Sequence, residues 1–194
     1  MQKDEMADDK KLSWECLETK HLIRDQWIDL CASVYRLPDG QELAPFYTYH
    51  RCDFVVIVAL DAEENYILVR QFRQGIQEIT TEFPAGGMEE GETPLAAARR
   101  ELLEETGCVS DRWSKVSSVP SNATVSDNYA HIFLAEQCRK QYEQKLDSSE
   151  FVEVTDLSKA ELEDCILKDQ FKQAVHVMAY YRAREIMENR HGKC

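Results

Sequence analysis

Apolar positions follow two different periods along this chain. Across residues 14–49, β-branched and aromatic residues alternate with polar ones, most clearly over residues 27–35, and Pro38, Asp39 and Gly40 supply a turn. This predicts a small antiparallel β region. Residues 54–60 are a continuous apolar run suited to a strand buried on both faces, and residues 61–65 turn the chain into a second strand over 66–72. The stretch from there to about Thr93 reads as a loop. A helical period then sets in: Thr93 can cap, Pro94 can open the first turn, and Gly107 offers a left-handed stop after Thr106. Strands are expected near residues 116–119, 130–135 and 151–154, followed by two helices. The first carries a capping box, Ser158 with Glu161; the second, over residues 170–188, places Phe171, Ala174, Val175, Met178 and Ile186 near one stripe.

Length bounds this pattern to one main domain, since 194 residues are too few for two ordinary ones. The expected division is a flexible tail at 1–11, a β region at 12–50 and the principal domain at 51–194. No apolar run reaches the roughly 18 residues of a membrane span, and residues 1–11 are charged where a signal peptide needs an apolar stretch. The expectation is a cytoplasmic protein without membrane contact. Seven cysteines, with no C-x-x-C pair and no Cys/His grouping at zinc spacing, fit reduced thiols acting mostly as small buried apolar residues. The net charge of −13 and the absence of a basic stripe exclude a nucleic-acid scaffold. The same charge repels phosphorylated small molecules, so a site for one must reverse the field locally with metal ions or a few arginines.

One stretch runs against local helix physics. On the expected helix Leu95, Ala98 and Leu102 lie on one side, while Glu101, Glu104 and Glu105 share another at i, i+3 and i+4. Like charges at these spacings cost roughly 0.2–0.5 kcal/mol per pair, and the helix dipole disfavours anions in the last turns. Two explanations compete: a solvated acidic face softened by an Arg100–Glu104 pair, or a bound hard cation such as Mg²⁺ that turns repulsion into shared coordination. The segment upstream favours the cation. Gly86, Gly87 and Gly91 allow tight turns and close approach to a ligand, at a fixed distance before the acidic helix.

Gly86, then Glu92, then Arg100, Glu101, Leu102, Leu103, Glu104, Glu105, Thr106 and Gly107 resemble, at every spacing, the Nudix box of the Nudix hydrolases. From average residue frequencies such a coincidence is expected on the order of once in 10⁸ to 10⁹ starting points. Cys108 departs from the box, which usually has an aliphatic residue there; a small apolar Cys suits the same packing. Arg70, Gln71, Phe72 and Arg73, with Glu82, Phe83, Pro84, Ala85 and Gly86, are similar to the matching strand and loop of the ADP-ribose pyrophosphatase branch.

The resemblance implies an α/β/α sandwich around a mixed sheet, and Mg²⁺-dependent hydrolysis of a nucleoside diphosphate linked to another group, with Mn²⁺ as a substitute. It implies Glu101 and Glu105 as main metal ligands, Glu104 as a further ligand or base, and the Ala85 carbonyl as a backbone ligand. Gly86, Glu92, Arg100 and Gly107 would support the box. Arg73 would contact substrate phosphates, with Arg70 on the opposite face if the strand is regular. Glu82 would touch the substrate or the metal shell, or else be an edge residue. Glu150, and after it Glu153, would offer a general base from a later loop. The N-terminal β region resembles the branch's dimerisation segment, so a homodimer is expected. Trp14, Trp27, Phe46 and Tyr47 suit core or interface packing, with stacking on a nucleobase as the alternative. ADP-ribose is the first expected substrate, another sugar nucleotide such as ADP-glucose or GDP-mannose the second, and a dinucleotide the third. Residues 120–128 depart from the branch, which usually carries a proline further past the box. A non-catalytic nucleotide-binding protein is the alternative from another class.

Overall fold

The computed structural model describes residues 11–148 and 150–191; of the expected tail, all but Lys11 lies outside them. Twelve strands and three helices follow in chain order: β1 (Glu15–Arg24), β2 (Asp29–Arg36), β3 (Glu42–His50), β4 (Phe54–Leu60), β5 (Tyr66–Arg73), β6 (Glu78–Glu82), β7 (Ala85–Gly87), α1 (Pro94–Thr106), β8 (Cys108–Val109), β9 (Arg112–Pro120), β10 (Tyr129–Glu136), β11 (Arg139–Lys140), β12 (Glu153–Leu157), α2 (Lys159–Leu167) and α3 (Ala174–His191). They form two compact units, one of residues up to Arg51 with Pro120–Asn128, the other of Cys52–Val119 with the residues from Tyr129 onward.

The first unit is a three-stranded antiparallel sheet in the order β1-β2-β3. Gly40 turns β2 into β3 with a φ of 88°. Trp14, Tyr35 and Phe46 pack edge to face, with ring centroids 5.2–6.0 Å apart. Trp27 and Tyr47 are exposed. Residues 120–128 belong here through the Tyr49 amide, which donates to the Val125 carbonyl at 2.8 Å.

The second unit is built on a mixed sheet in the order β12-β5-β4-β10-β9, with β6 paired to β5 and β7 to β4. β4 and β10 run parallel, Phe54 opposite Ala130. The unbroken apolar run of β4 feeds both faces because successive side chains point to opposite sides. Val55, Ile57 and Ala59 pack with Ala97, Ala98 and Leu102 of α1. Val56, Val58 and Leu60 pack with Leu162 of α2 and Ala179, Tyr180 and Ala183 of α3. Helix, sheet and helices are therefore three layers, as the resemblance implies.

Three local expectations are corrected. The loop expected up to Thr93 contains β6 and β7, which form by pairing with β5 and β4 despite their polar and glycine-rich sequences. The strand expected at 151–154 lies at Glu153–Leu157, where Glu153 sits opposite Arg70. α3 begins at Ala174, leaving Phe171 buried ahead of it, and its buried face runs through His176, Ala179, Tyr180 and Ala183. Ala174 is exposed.

Candidate active site

α1 has well-defined ends. The Thr93 hydroxyl accepts from the Ala96 amide at 3.3 Å, and Gly107 takes a left-handed φ of 71° while its amide donates to the Leu103 carbonyl. A Cβ at Gly107 would run into the Tyr142 carbonyl, so close approach as well as conformation requires glycine there. The remaining carbonyls of the last turn are taken up by a later segment. Gln141 and Tyr142 amides donate to Gly107, the Lys145 amide to Glu104 at 2.9 Å, and the Gln144 side chain to Glu105 at 2.6 Å. That capping leads the chain to Glu150, whose charge acts on both Glu101 and Glu105.

The acidic side of α1 is not a solvated face. Glu101 is 9% exposed and Glu105 only 4%, while Glu104 lies further out. Glu105 Oε2 accepts from the Ala85 amide at 2.9 Å. Burial pushes the Glu105 carboxyl up to about 8; the Ala85 amide opposes the shift, and the charges of Glu101 and Glu150 add to it. Burial raises Glu101 as well, against the pull of Arg100. Two buried carboxylates thus lie side by side with less positive charge than they need.

Arg100 partly supplies it. Its guanidinium donates to Glu92 at 3.1 and 2.9 Å, to Glu101 at 2.6 Å, to Glu104 at 3.1 Å and to the Gly87 carbonyl at 2.8 Å. The Arg100–Glu104 pairing read from the sequence is one arm of this fan, which ties the glycine loop to the helix. Arg100 holds Glu92 below the usual carboxylate range, and Glu92 accepts from the Glu89 amide. Gly86 sits directly against Glu101: a Cβ there would occupy the space of the carboxylate. Buried carboxylate oxygens, a backbone that allows side-chain oxygens to approach and an unmet need for positive charge fit a hard divalent cation.

The two arginines of β5 face opposite ways. Arg70 pairs at 2.9 Å with Glu153, both exposed. Arg73 instead makes a two-pronged pair with Glu82, Nε to Oε1 at 2.8 Å and Nη2 to Oε2 at 2.5 Å, and the Glu105 charge reaches it. Glu82 is fully buried rather than at an edge, and also accepts from Thr80 and from Gln173 at 3.0 Å. Burial alone would raise its carboxyl, but Arg73, His176, Gln173 and Thr80 hold it at about 2. His176 Nδ1 accepts from the Phe83 amide at 3.1 Å, and burial drives the ring's pKa down to about 4. Sequence reading missed Thr80, Gln144, Gln173 and His176. No local spacing marks them, because Gln173 and His176 arrive from the far end of the chain.

A cleft lined in part by Asp61, Lys140, Gln144, Glu153 and Asp156 opens beside Thr106 and Cys108; Glu101 and Glu105 do not line it. The cleft and the acidic cluster are thus separate features of this unit.

Comparison with known proteins agrees with this geometry. Residues 50–179 match the NUDIX domain family. The ADP-ribose pyrophosphatase of Bacillus subtilis (strain 168) is 32% identical over 158 residues, covering 81% of this chain and 83% of that protein. The methanol dehydrogenase activator of Bacillus methanolicus is 26% identical over 177 residues, 90% of this chain and 95% of that one. The crystal structure of an ADP compounds hydrolase superposes with a TM-score of 0.82, covering 92% of this chain and 97% of the other at 20% identity, and so shares the fold. The chain belongs to the Nudix family of pyrophosphohydrolases.

Proposed function

We propose that this enzyme hydrolyses the diphosphate bond of ADP-ribose, or of a closely related nucleoside diphosphate sugar, with Mg²⁺, giving a nucleoside monophosphate and a sugar phosphate. The observation that carries the reading is the pair of buried carboxylates, Glu101 and Glu105, set between the Gly86 loop and Arg100. The substrate class is supported by the similarity to the Bacillus subtilis ADP-ribose pyrophosphatase. ADP-glucose, GDP-mannose and dinucleotides are the competing substrates.

Glu101 and Glu105 with the Ala85 carbonyl would hold the metal, and Glu104 would add a ligand from the outer side. Bound Mg²⁺ or Mn²⁺ supplies charge neutralisation at the diphosphate and a lowered pKa for a water. Arg73, fixed in one orientation by buried Glu82, presents positive charge toward the phosphates. Glu82 therefore acts through Arg73. Arg70, paired to Glu153 on the other face, is left a lesser part in binding. Glu150 takes the proton as the water oxygen adds to phosphorus and the bridging P–O bond breaks, leaving the electron pair on the departing phosphate. Gly86, Glu92, Arg100 and Gly107 keep the loop and helix in register.

Residues 12–50 would form the homodimer contact, supported by exposed Trp27, Leu22 and Ile23, and 51–194 the catalytic domain. Free thiols at the described cysteines suit the cytoplasm. Among the described residues no helix is long and apolar enough to cross a membrane. A second reading, a nucleotide-binding activator without turnover, draws on the relative named a methanol dehydrogenase activator; the intact acidic cluster speaks against it.

A panel of nucleoside diphosphate sugars and dinucleotides with Mg²⁺ or Mn²⁺, scored by chromatography of the nucleotide products, tests the proposal. AMP formed fastest from ADP-ribose supports it. Preference for GDP-linked sugars or dinucleotides overturns the substrate, and nucleotide binding without turnover overturns the reaction.

A further inference from the structure

Outside the acidic cluster, one group of side chains among the described residues brings metal-ligating atoms together: His21, Asp29 and Cys31. Their convergence follows from the sheet register. His21 of β1 lies directly opposite Cys31 of β2, and Asp29 precedes Cys31 by two residues, so all three share one face. A register shift between His21 and Ile23 bends β1 at this point. Arg24 pairs with Asp29 Oδ2 at 3.4 Å, leaving Oδ1 turned to the other two side chains.

The spacings are close to those of a coordination polyhedron. Cys31 Sγ is 3.4 Å from His21 Nδ1 and 3.5 Å from Asp29 Oδ1. With metal–sulfur near ~2.3 Å and metal–nitrogen or –oxygen near ~2.0–2.2 Å, a tetrahedral ion sets sulfur about 3.5 Å from its neighbouring ligands. Only the His21–Asp29 edge is short, at 2.6 Å, where a hydrogen bond now spans it. It would open to about 3.3 Å on coordination. The polar row continues on the same face: His50 of β3 stands opposite Asp29 and pairs with Asp127, whose charge reaches Cys31. An apolar role for Cys31 does not account for histidine and carboxylate atoms converging on its sulfur.

We propose that His21, Asp29 and Cys31 form a binding site for a zinc-class divalent cation, independent of the acidic cluster and separate from catalysis. Thiolate, imidazole and one carboxylate are a donor set of intermediate softness that selects Zn²⁺ or Co²⁺ over Mg²⁺. Binding releases the Cys31 thiol proton to solvent, and the proton that bridges His21 Nδ1 to Asp29 Oδ1 shifts to Nε2 as the ring changes tautomer, so that Nδ1 is free to coordinate. The three protein ligands leave the fourth corner to water. The ion would tie β1, exposed along its whole length, to β2.

The test uses the full-length protein stripped of metal and titrated with Co²⁺ alone in the presence of excess Mg²⁺, which occupies oxygen-only sites. A thiolate-to-cobalt charge-transfer absorption reaching one equivalent, displaced by Zn²⁺, is expected. Cys31→Ser should abolish the absorption. His21→Ala should weaken affinity at least by the roughly 10- to 100-fold that loss of an outer-sphere partner costs. His21 is exposed, so its variant serves where replacement of buried Cys31 impairs folding. Both folded variants should keep Mg²⁺-dependent turnover. Cobalt binding without a thiolate band, or a band that persists in Cys31→Ser, would overturn the proposal.

Discussion

The amide of Ala85 donates to Glu105 across twenty residues of sequence, joining the short β7 strand to the end of α1 at 2.9 Å. This bond fixes the buried carboxylate against the loop whose backbone it faces, and it makes Glu105 the residue on which the proposed chemistry depends most. Glu105→Gln preserves shape and the acceptor for Ala85 while removing the charge. Turnover should fall by roughly 10²- to 10⁴-fold, with the circular dichroism spectrum unchanged. Comparing kcat and KM for the variant and the parent checks this.

Glu105 also makes the metal-free protein sensitive to pH. Its carboxyl is raised from 4.5 to about 8 by burial beside Glu101 and Glu150, with Arg73 opposing. The native state therefore binds the proton more tightly than the unfolded chain, so this group favours folding at low pH. The contribution is lost as pH rises from about 4.5 to about 8. The stability of the metal-free parent relative to Glu105→Gln should decline across that window in denaturant titrations. Added Mg²⁺ should raise Tm more at pH 8 than at pH 5, because the proton and the cation compete for one carboxylate.

Gly86→Ala places a methyl group where the Glu101 carboxylate lies. Glu101 must swing aside and Arg100 loses one of its partners. Activity should drop by about 10-fold or more, with metal affinity reduced, whereas Gly75→Ala, where the added methyl meets nothing, should leave both unchanged. Metal titration of the two variants separates the outcomes.

Much of this site was legible in the sequence, for a physical reason. Thr93, Pro94 and Gly107 encode the ends of α1 through chemistry that acts within a few residues, and the Gly86-to-Gly107 spacing carries the box. β6 and β7 were hidden because their polar and glycine-rich residues form strands only by pairing with β5 and β4. The supports of Arg73 were hidden for the same reason. Nothing among its sequence neighbours marks His176, which is 3% exposed and accepts from the backbone amide of Phe83, 93 positions earlier.

Arg73 and Arg70 provide a matched contrast within one strand. Removing Arg73 leaves Glu82 buried without its counter-charge, a loss of about 3–5 kcal/mol. Arg70→Ala breaks an exposed pair with Glu153 and should change stability by about 0–1 kcal/mol. Denaturant midpoints for Arg73→Ala and Arg70→Ala check the difference. Arg73→Ala should be rescued in stability by Glu82→Gln in the same chain, but not in turnover.

The central claim is that a metal held at Glu101 and Glu105 drives cleavage of a sugar nucleotide diphosphate. The most direct measurement follows release of AMP from ADP-ribose by the purified protein in saturating Mg²⁺, in excess chelator, and in saturating Mg²⁺ with Glu105→Gln. Steady AMP formation in the first sample and near-background rates in the other two are predicted. AMP released at the same rate in chelator, or by Glu105→Gln, would contradict the account.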